Sequence, residues 1–242
     1  MKIKKIKAKS VSYGGKRSLS SVKYIVIHNT GNSGDTAVGN GNYFRHTNTR
    51  SAGAHYFVDR SGVVVESIPM NLVAWSVGGF FTKKNGAGTY YKKCTNSNSV
   101  SIELCDIVKS YPSNKQVDAV RDLVAYIQKK CPNAKVIIRH WDVNGKPCPA
   151  IMSGKDNKLW KRFKKAILDT KVEKKPSKSE STSYKVKITA DTLNVRSGAG
   201  TKYKVVGKVK KGEVYTITAT SNGWGKLKSG AGWIKLSYTQ KL

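Results

Sequence analysis

Apolar positions along this chain come first as short unbroken runs and later as alternation. VKYIVIH (22–28), SVSIELC (99–105) and KVIIR (135–139) read as buried strands, the first ending on a histidine and the second holding Glu103 within apolar neighbours. NYFRHTN predicts a short helix, and SAGAHYFVDRSGVVVES predicts two strands about a turn at 59–62. From 113 to 130 Val117, Val120, Val124 and Ile127 recur at helical spacing behind a capping box of Ser113 and Gln116, and Pro132 and Asn133 stop the helix. A further helix is predicted over 157–168, with Leu159, Trp160, Phe163 and Ile167 on its apolar side. Residues 1–20 read as a basic arm lying over this first domain. Residues 75–98 read as a loop at a cleft edge, longer than the roughly 12–15 residues that compact domains leave without structure.

The texture then changes. KVEKKPSKSESTS (171–183) has almost no apolar side chain and predicts a linker, because it cannot bury a core. Beyond it YKVKITA, LNVRS, KVVGKV, EVYTITAT, GWGKLKS and GWIKL alternate between glycine turns, which predicts a small all-β barrel. The expected organisation is therefore a first domain at 1–170, a linker at 171–183 and a second domain at 184–242.

Charge narrows the range of partners. The 242 residues carry 45 Lys and Arg against 14 Asp and Glu, a net charge of +31. Such an imbalance implies a polyanionic partner, for which nucleic acid, an anionic membrane and a wall bearing teichoic acids all qualify. The charge is spread over both domains, with 16 basic and 4 acidic side chains in 171–242, which favours whole-surface attraction over one reading groove. No apolar run approaches the ~18 residues of a membrane span, and no apolar segment follows the basic start, so neither membrane insertion nor a signal peptide is expected. The four cysteines form no CxxC pair and need not be disulfides.

His140 and Cys148 flank a Gly- and Pro-containing turn in RHWDVNGKPCP. A nitrogen and a thiolate so joined suit zinc, and with His28 they make three ligands and leave one position open, as catalytic zinc requires. Each histidine alone is more often a satisfied polar residue. Cys148 alone could be an ordinary buried thiol, and Lys146 alone a solvated surface charge.

YIVIHNTG, AGAHYFVDRSG, NSVSIELC and RHWDVNGKPCP, in that order, make residues 21–165 resemble the zinc-dependent N-acetylmuramoyl-L-alanine amidases that include phage lysins and peptidoglycan recognition proteins. The resemblance implies an α/β catalytic domain with a central mixed β-sheet flanked by helices, holding one Zn2+ on His28, His140 and Cys148. It also implies Glu103 and Lys146 as catalytic residues. His55 matches a shared histidine that either supports the site, touches substrate or sits in the core, and Trp75 is expected as a cleft wall. Ser76 stands where the family usually has histidine, and Ala54 where some members have tyrosine.

LNVRSGAGTKYKVVGKVKKGEVYTI and SNGWGKLKSGAGWIKL make residues 184–240 resemble a bacterial SH3-like domain, a module that binds peptidoglycan in many lysins. Trp224, Trp233, Tyr203 and Tyr238 could stack on sugar or peptide, with core the better reading for Trp233. Together the resemblances imply a peptidoglycan hydrolase that cuts the bond between N-acetylmuramic acid and L-alanine. Its substrate would be a wall of Gram-positive type, held in part by anionic wall polymers. Made in the cytoplasm, it would reach that wall after holin-mediated or lytic release. A non-catalytic peptidoglycan-binding protein is the alternative. Nucleic-acid binding rests on charge alone and has no motif behind it.

Overall fold

The computed structural model describes residues 1–79, 86–169, 183–201, 203–221 and 223–242. The linker expected at 171–183 and part of the loop at 75–98 fall outside them. The chain divides into two compact units, 1–171 and 172–242. Among the described residues no helix is long and apolar enough to cross a membrane.

The first unit is built on a six-stranded mixed sheet. Its strands are β1 (Ile3–Lys5), β3 (Tyr24–Asn29), β4 (Tyr56–Val58), β5 (Val64–Glu66), β7 (Ser99–Leu104) and β8 (Val136–Arg139). They lie in the order β1-β5-β4-β7-β3-β8, with only the β4–β5 hairpin antiparallel. The central strands are almost wholly buried because both faces are covered, and β7 alternates, with Ser99, Ser101 and Glu103 on one face and Val100, Ile102 and Leu104 on the other. Ile25, Ile27, Val100, Ile102 and Ile137 face a core shared with α2 (Asn114–Lys130) and α4 (Lys158–Leu168). Phe57 and Val65 face α1 (Ala37–His46), and Val26 and Ile138 pack beside Val77, Cys94 and Val143 on that same second side.

Three expectations change. The basic arm contributes two strands: β1 extends the sheet, and β2 (Tyr13–Lys16) pairs with β6 (Leu72–Ala74). His140 does not end a strand; it opens the short helix α3 (His140–Asn144), because Asp142 accepts the Arg139 N–H at 2.8 Å and turns the chain there. Ser113 caps α2 by accepting from the Gln116 N–H, yet the Gln116 side chain does not close the box. It donates instead to the carbonyls of Val58 and Cys105, at 2.8 and 2.9 Å, tying α2 to the ends of β4 and β7.

The second unit is one seven-stranded, wholly antiparallel sheet. Its strands run from β9 (Tyr184–Ile188) through β10 (Thr192–Arg196), β11 (Val205–Lys210), β12 (Val214–Ser221), β13 (Trp224–Leu227) and β14 (Trp233–Lys235) to β15 (Thr239–Lys241), the last not foreseen. Val186, Ile188, Val195, Ile217 and Ile234 are among its own core. Trp224 is the buried indole, whereas Trp233, expected in the core, is half-buried.

Candidate active site

Strand parity assembles the site. Side chains alternate across a sheet, so His28 shares the face of Val26, and Glu103 that of Ser101. The parallel register pairs His28 with Glu103, so the imidazole and the carboxylate stand side by side, 4.0 Å apart at Nδ1 and Oε1. β8 lies on the other side of β3, and His140, two residues beyond Ile138, keeps that strand's parity. The two histidine rings meet edge to face with centroids 4.6 Å apart.

Cys148 arrives on the turn after α3. Gly145, at φ 79°, ends that helix in the left-handed region where a side chain would be strained, and its N–H donates to the Trp141 carbonyl. The Trp141 N–H donates to the Cys148 carbonyl at 2.9 Å, and the Asn29 N–H to the Cys148 sulfur at 3.3 Å. The Cys148–Pro149 peptide is cis. One ligand atom from each of His28, His140 and Cys148 lies within 4.8 Å of the others, and all three residues are buried. Bond lengths of ~2.0–2.3 Å to a tetrahedral zinc put ligand atoms ~3.3–3.8 Å apart, so a contraction of about 1.5 Å or less completes the fit.

Hydrogen bonding supports that fit. Buried polar atoms are nearly always paired. Among the described residues, His28 Nε2, both ring nitrogens of His140 and Glu103 Oε2 have no hydrogen-bond partner. Four orphaned atoms in one pocket mark a site built for a ligand. Burial holds His28 well below its ordinary value, helped by His140 and Lys146, and lowers His140 to about 4, so both imidazoles are neutral and free to ligate at pH 7. Burial also pushes the Cys148 thiol up to about 12, and Glu103 up to about 7 against the lowering pull of Lys146.

A cavity of about 330 Å3 opens over these groups, lined by His28, Glu103, His140, Lys146, Cys148 and Trp75 among others. A second, of about 460 Å3, shares Phe44 and Glu103 with it, so Glu103 stands at the junction of one groove. β7 is interior to the sheet and the Glu103 side chain is 19 % exposed, opening onto that groove rather than onto a sheet edge. Trp75 is half-buried, and its indole crosses Gly14 so closely that a Cβ there would stand 2.6 Å from it.

His55 does not reach the groove. It is wholly buried, with Nδ1 and Ser101 Oγ at 3.0 Å and Nε2 near the Leu72 carbonyl and the Arg17 guanidinium. Burial and Arg17 lower it to about 3. Its place is beneath β2 and β6, where Arg17 also donates to the carbonyls of Met70, Asn96 and Ser99.

Sequence reasoning passed over the residues that hold the loops. Asn96 Oδ1 accepts from the N–H groups of Ser76 and Val77, fixing the segment after Trp75. Asn144 donates to the Gly78 carbonyl at 2.7 Å and accepts from the Lys146 N–H, so one side chain joins both rims. Asn29 Oδ1 accepts from the Ala150 N–H beyond Cys148. Asp35 accepts from Asp106 N–H and Asn40, securing the loop after β3 to the end of β7. Amide side chains in loops carry no pattern that distinguishes such work.

Residues 18–151 match the N-acetylmuramoyl-L-alanine amidase family, and residues 191–240 match the bacterial SH3 domain. The chain is 30% identical over 197 residues to N-acetylmuramoyl-L-alanine amidase CwlL of Bacillus licheniformis, a match that covers 78% of this chain and 53% of that protein. It thus spans about half the length of that relative. Among solved structures, PlyL superposes with a TM-score of 0.51 at 26% identity, covering 69% of this chain and 97% of PlyL. The catalytic domain of XlyA superposes with a TM-score of 0.53 at 22% identity, covering 69% and 99%, and shares the fold.

Proposed function

The chain belongs to the N-acetylmuramoyl-L-alanine amidase family, and on that premise we propose that it is a peptidoglycan hydrolase cutting the amide between N-acetylmuramic acid and the L-alanine of the stem peptide. One observation carries the reading: three buried residues with ligand atoms gathered together and a carboxylate with one unpartnered oxygen share one cavity. His28, His140 and Cys148 would hold a single zinc, which supplies Lewis acidity toward the lactyl carbonyl and toward water.

The remaining steps belong to the chain's own groups. Glu103 takes the proton of the attacking water and returns it to the alanine nitrogen as the C–N bond breaks. The Lys146 ammonium, on the rim of the same cavity, offsets the negative charge that grows on the carbonyl oxygen. Trp75 gives the sugar a flat apolar wall. Two adjoining cavities of this size suit a ligand with a glycan part and a peptide part.

The second unit binds the wall and keeps the catalyst on an insoluble substrate. The substrate is a Gram-positive type of wall, reached after lytic or holin-type release, and the +31 charge adds attraction to its anionic polymers. The test is to incubate purified walls with the zinc-loaded protein, with and without chelator, and to assay new chain ends. Free L-alanine amino groups without new reducing sugars, abolished by chelator, are expected. Reducing ends alone would overturn the reading.

A further inference from the structure

A third cavity lies along α4, and nothing in the proposed reaction uses it. It measures about 530 Å3, with Lys161, Lys164 and Lys165 at its rim and Trp160 and Arg139 beneath. α4 carries five basic and no acidic side chains in eleven residues. The carboxylate at the rim, Asp156, pairs with Lys161 at 3.0 Å. Arg139 is neutralised by Asp142 at 2.7 Å and packs between the rings of Trp141 and Trp160. Lys164 and Lys165 have no carboxylate within ion-pair distance among the described residues.

We propose that this cavity docks the phosphodiester backbone of a wall polyol-phosphate polymer of the teichoic acid type. The choice of partner rests on the wall as the site of action; the choice of chemistry rests on the cavity. Lysines at i, i+3 and i+4 place three ammonium groups along one helix face; Lys164 and Lys165 meet successive phosphates as point charges, and Lys161 shares its charge with Asp156. Trp160 is 8% exposed, with Arg139 over its ring and Phe163 stacked against it, so no free aromatic face is left for a nucleobase. Single-stranded nucleic-acid sites depend on such faces. A base-free polyanion is what the cavity can hold.

The test compares two triple variants of equal charge in the full chain. One is Lys161→Gln, Lys164→Gln, Lys165→Gln; the other is Lys115→Gln, Lys129→Gln, Lys130→Gln on exposed positions of α2. Affinity for purified teichoic acid is measured across a salt series, with single-stranded DNA as a second probe. The α4 variant should bind teichoic acid about ten-fold more weakly and lose about two from the slope of log K against log salt, while the α2 variant stays within about two-fold of the parent. Should the α4 triple prove unstable, Lys165→Glu alone must show the same direction. Equal losses in the two triples would reduce the effect to diffuse attraction and overturn the site, as would a DNA loss as large as that for teichoic acid. The readout is binding, so it stands or falls whether or not walls are hydrolysed.

Discussion

Zinc binding to the metal-free protein should release about one proton, and that proton should come from Cys148. Burial sets His140 at about 4 and keeps His28 well below its ordinary value, so neither imidazole has a proton to give up at neutral pH. Cys148, pushed up to about 12, is a thiol there and must ionise to ligate. Glu103, at about 7, is about one quarter protonated at pH 7.5 and loses that fraction when a cation enters beside it. The protein's own groups are therefore expected to release about 1.2 protons at pH 7.5 and about 1.0 at pH 9, and water at the open zinc position adds its own release as pH rises past about 7.

Titration calorimetry in buffers of different ionisation enthalpy measures the number directly. Cys148→Asp keeps a ligand but has no thiol proton, so its release at pH 7.5 should fall to about 0.2. Glu103→Gln removes the carboxyl contribution and should release about 1.0 at pH 6, below the range where zinc-bound water ionises. Histidines with ordinary values near 6.5 would raise that pH 6 figure to about 2.5. A Cys148→Asp protein that releases as many protons as the parent, or a Glu103→Gln protein that releases more than about 2 at pH 6, would refute the reasoning.

Glu103→Gln should keep one zinc per chain by metal analysis yet hydrolyse walls about 10²–10⁴-fold more slowly, and near-normal turnover would remove Glu103 from proton transfer. Gln116→Ala leaves the Cys105 carbonyl without its donor inside the core, while the Val58 carbonyl keeps the Cys105 N–H, and should cost about 1–3 kcal/mol in urea unfolding, with the slope m unchanged. His55 has a folded value lowered to about 3 against 6.5, so its contribution is complete above pH 6.5 and is lost as pH falls toward 3. In the zinc-loaded protein that loss should run at about 1.4 kcal/mol per pH unit, and His55→Gln should flatten it.

The strands that carry the site were legible because each is buried on both faces and so reads as an apolar run. VKYIVIH, SVSIELC and KVIIR became β3, β7 and β8, and parity along them put His28, Glu103 and His140 on one side. What was illegible depends on partners distant in sequence. β1 and β2 lack any strand pattern of their own and exist because β5 and β6 offer edges to pair with. Ser113 and Gln116 satisfy a local capping rule, but the strand-end carbonyls of Cys105, which has no other donor among the described residues, and Val58 outcompete the helix for the glutamine. His140 begins a helix rather than ending a strand because Asp142 reaches back to the Arg139 N–H. The amides that fix the rims, Asn29, Asn96 and Asn144, look in sequence like any polar loop residue.

Charge balance explains why one cation and one carboxylate accompany this ligand set. Two neutral imidazoles and one thiolate leave a bound zinc with one net positive charge. The Lys146 ammonium and an ionised Glu103 cancel, so the loaded groove carries a single uncompensated charge before reaction. On the proposed mechanism that charge would be matched when negative charge grows on the substrate carbonyl, and Glu103 would become neutral on taking the water proton. The cavity therefore binds the charge distribution of the transition state better than that of a neutral amide, which is the condition for acceleration rather than mere binding. Lys146→Met should accordingly lower kcat far more than it raises KM, whereas equal changes in both would return Lys146 to a role in binding alone.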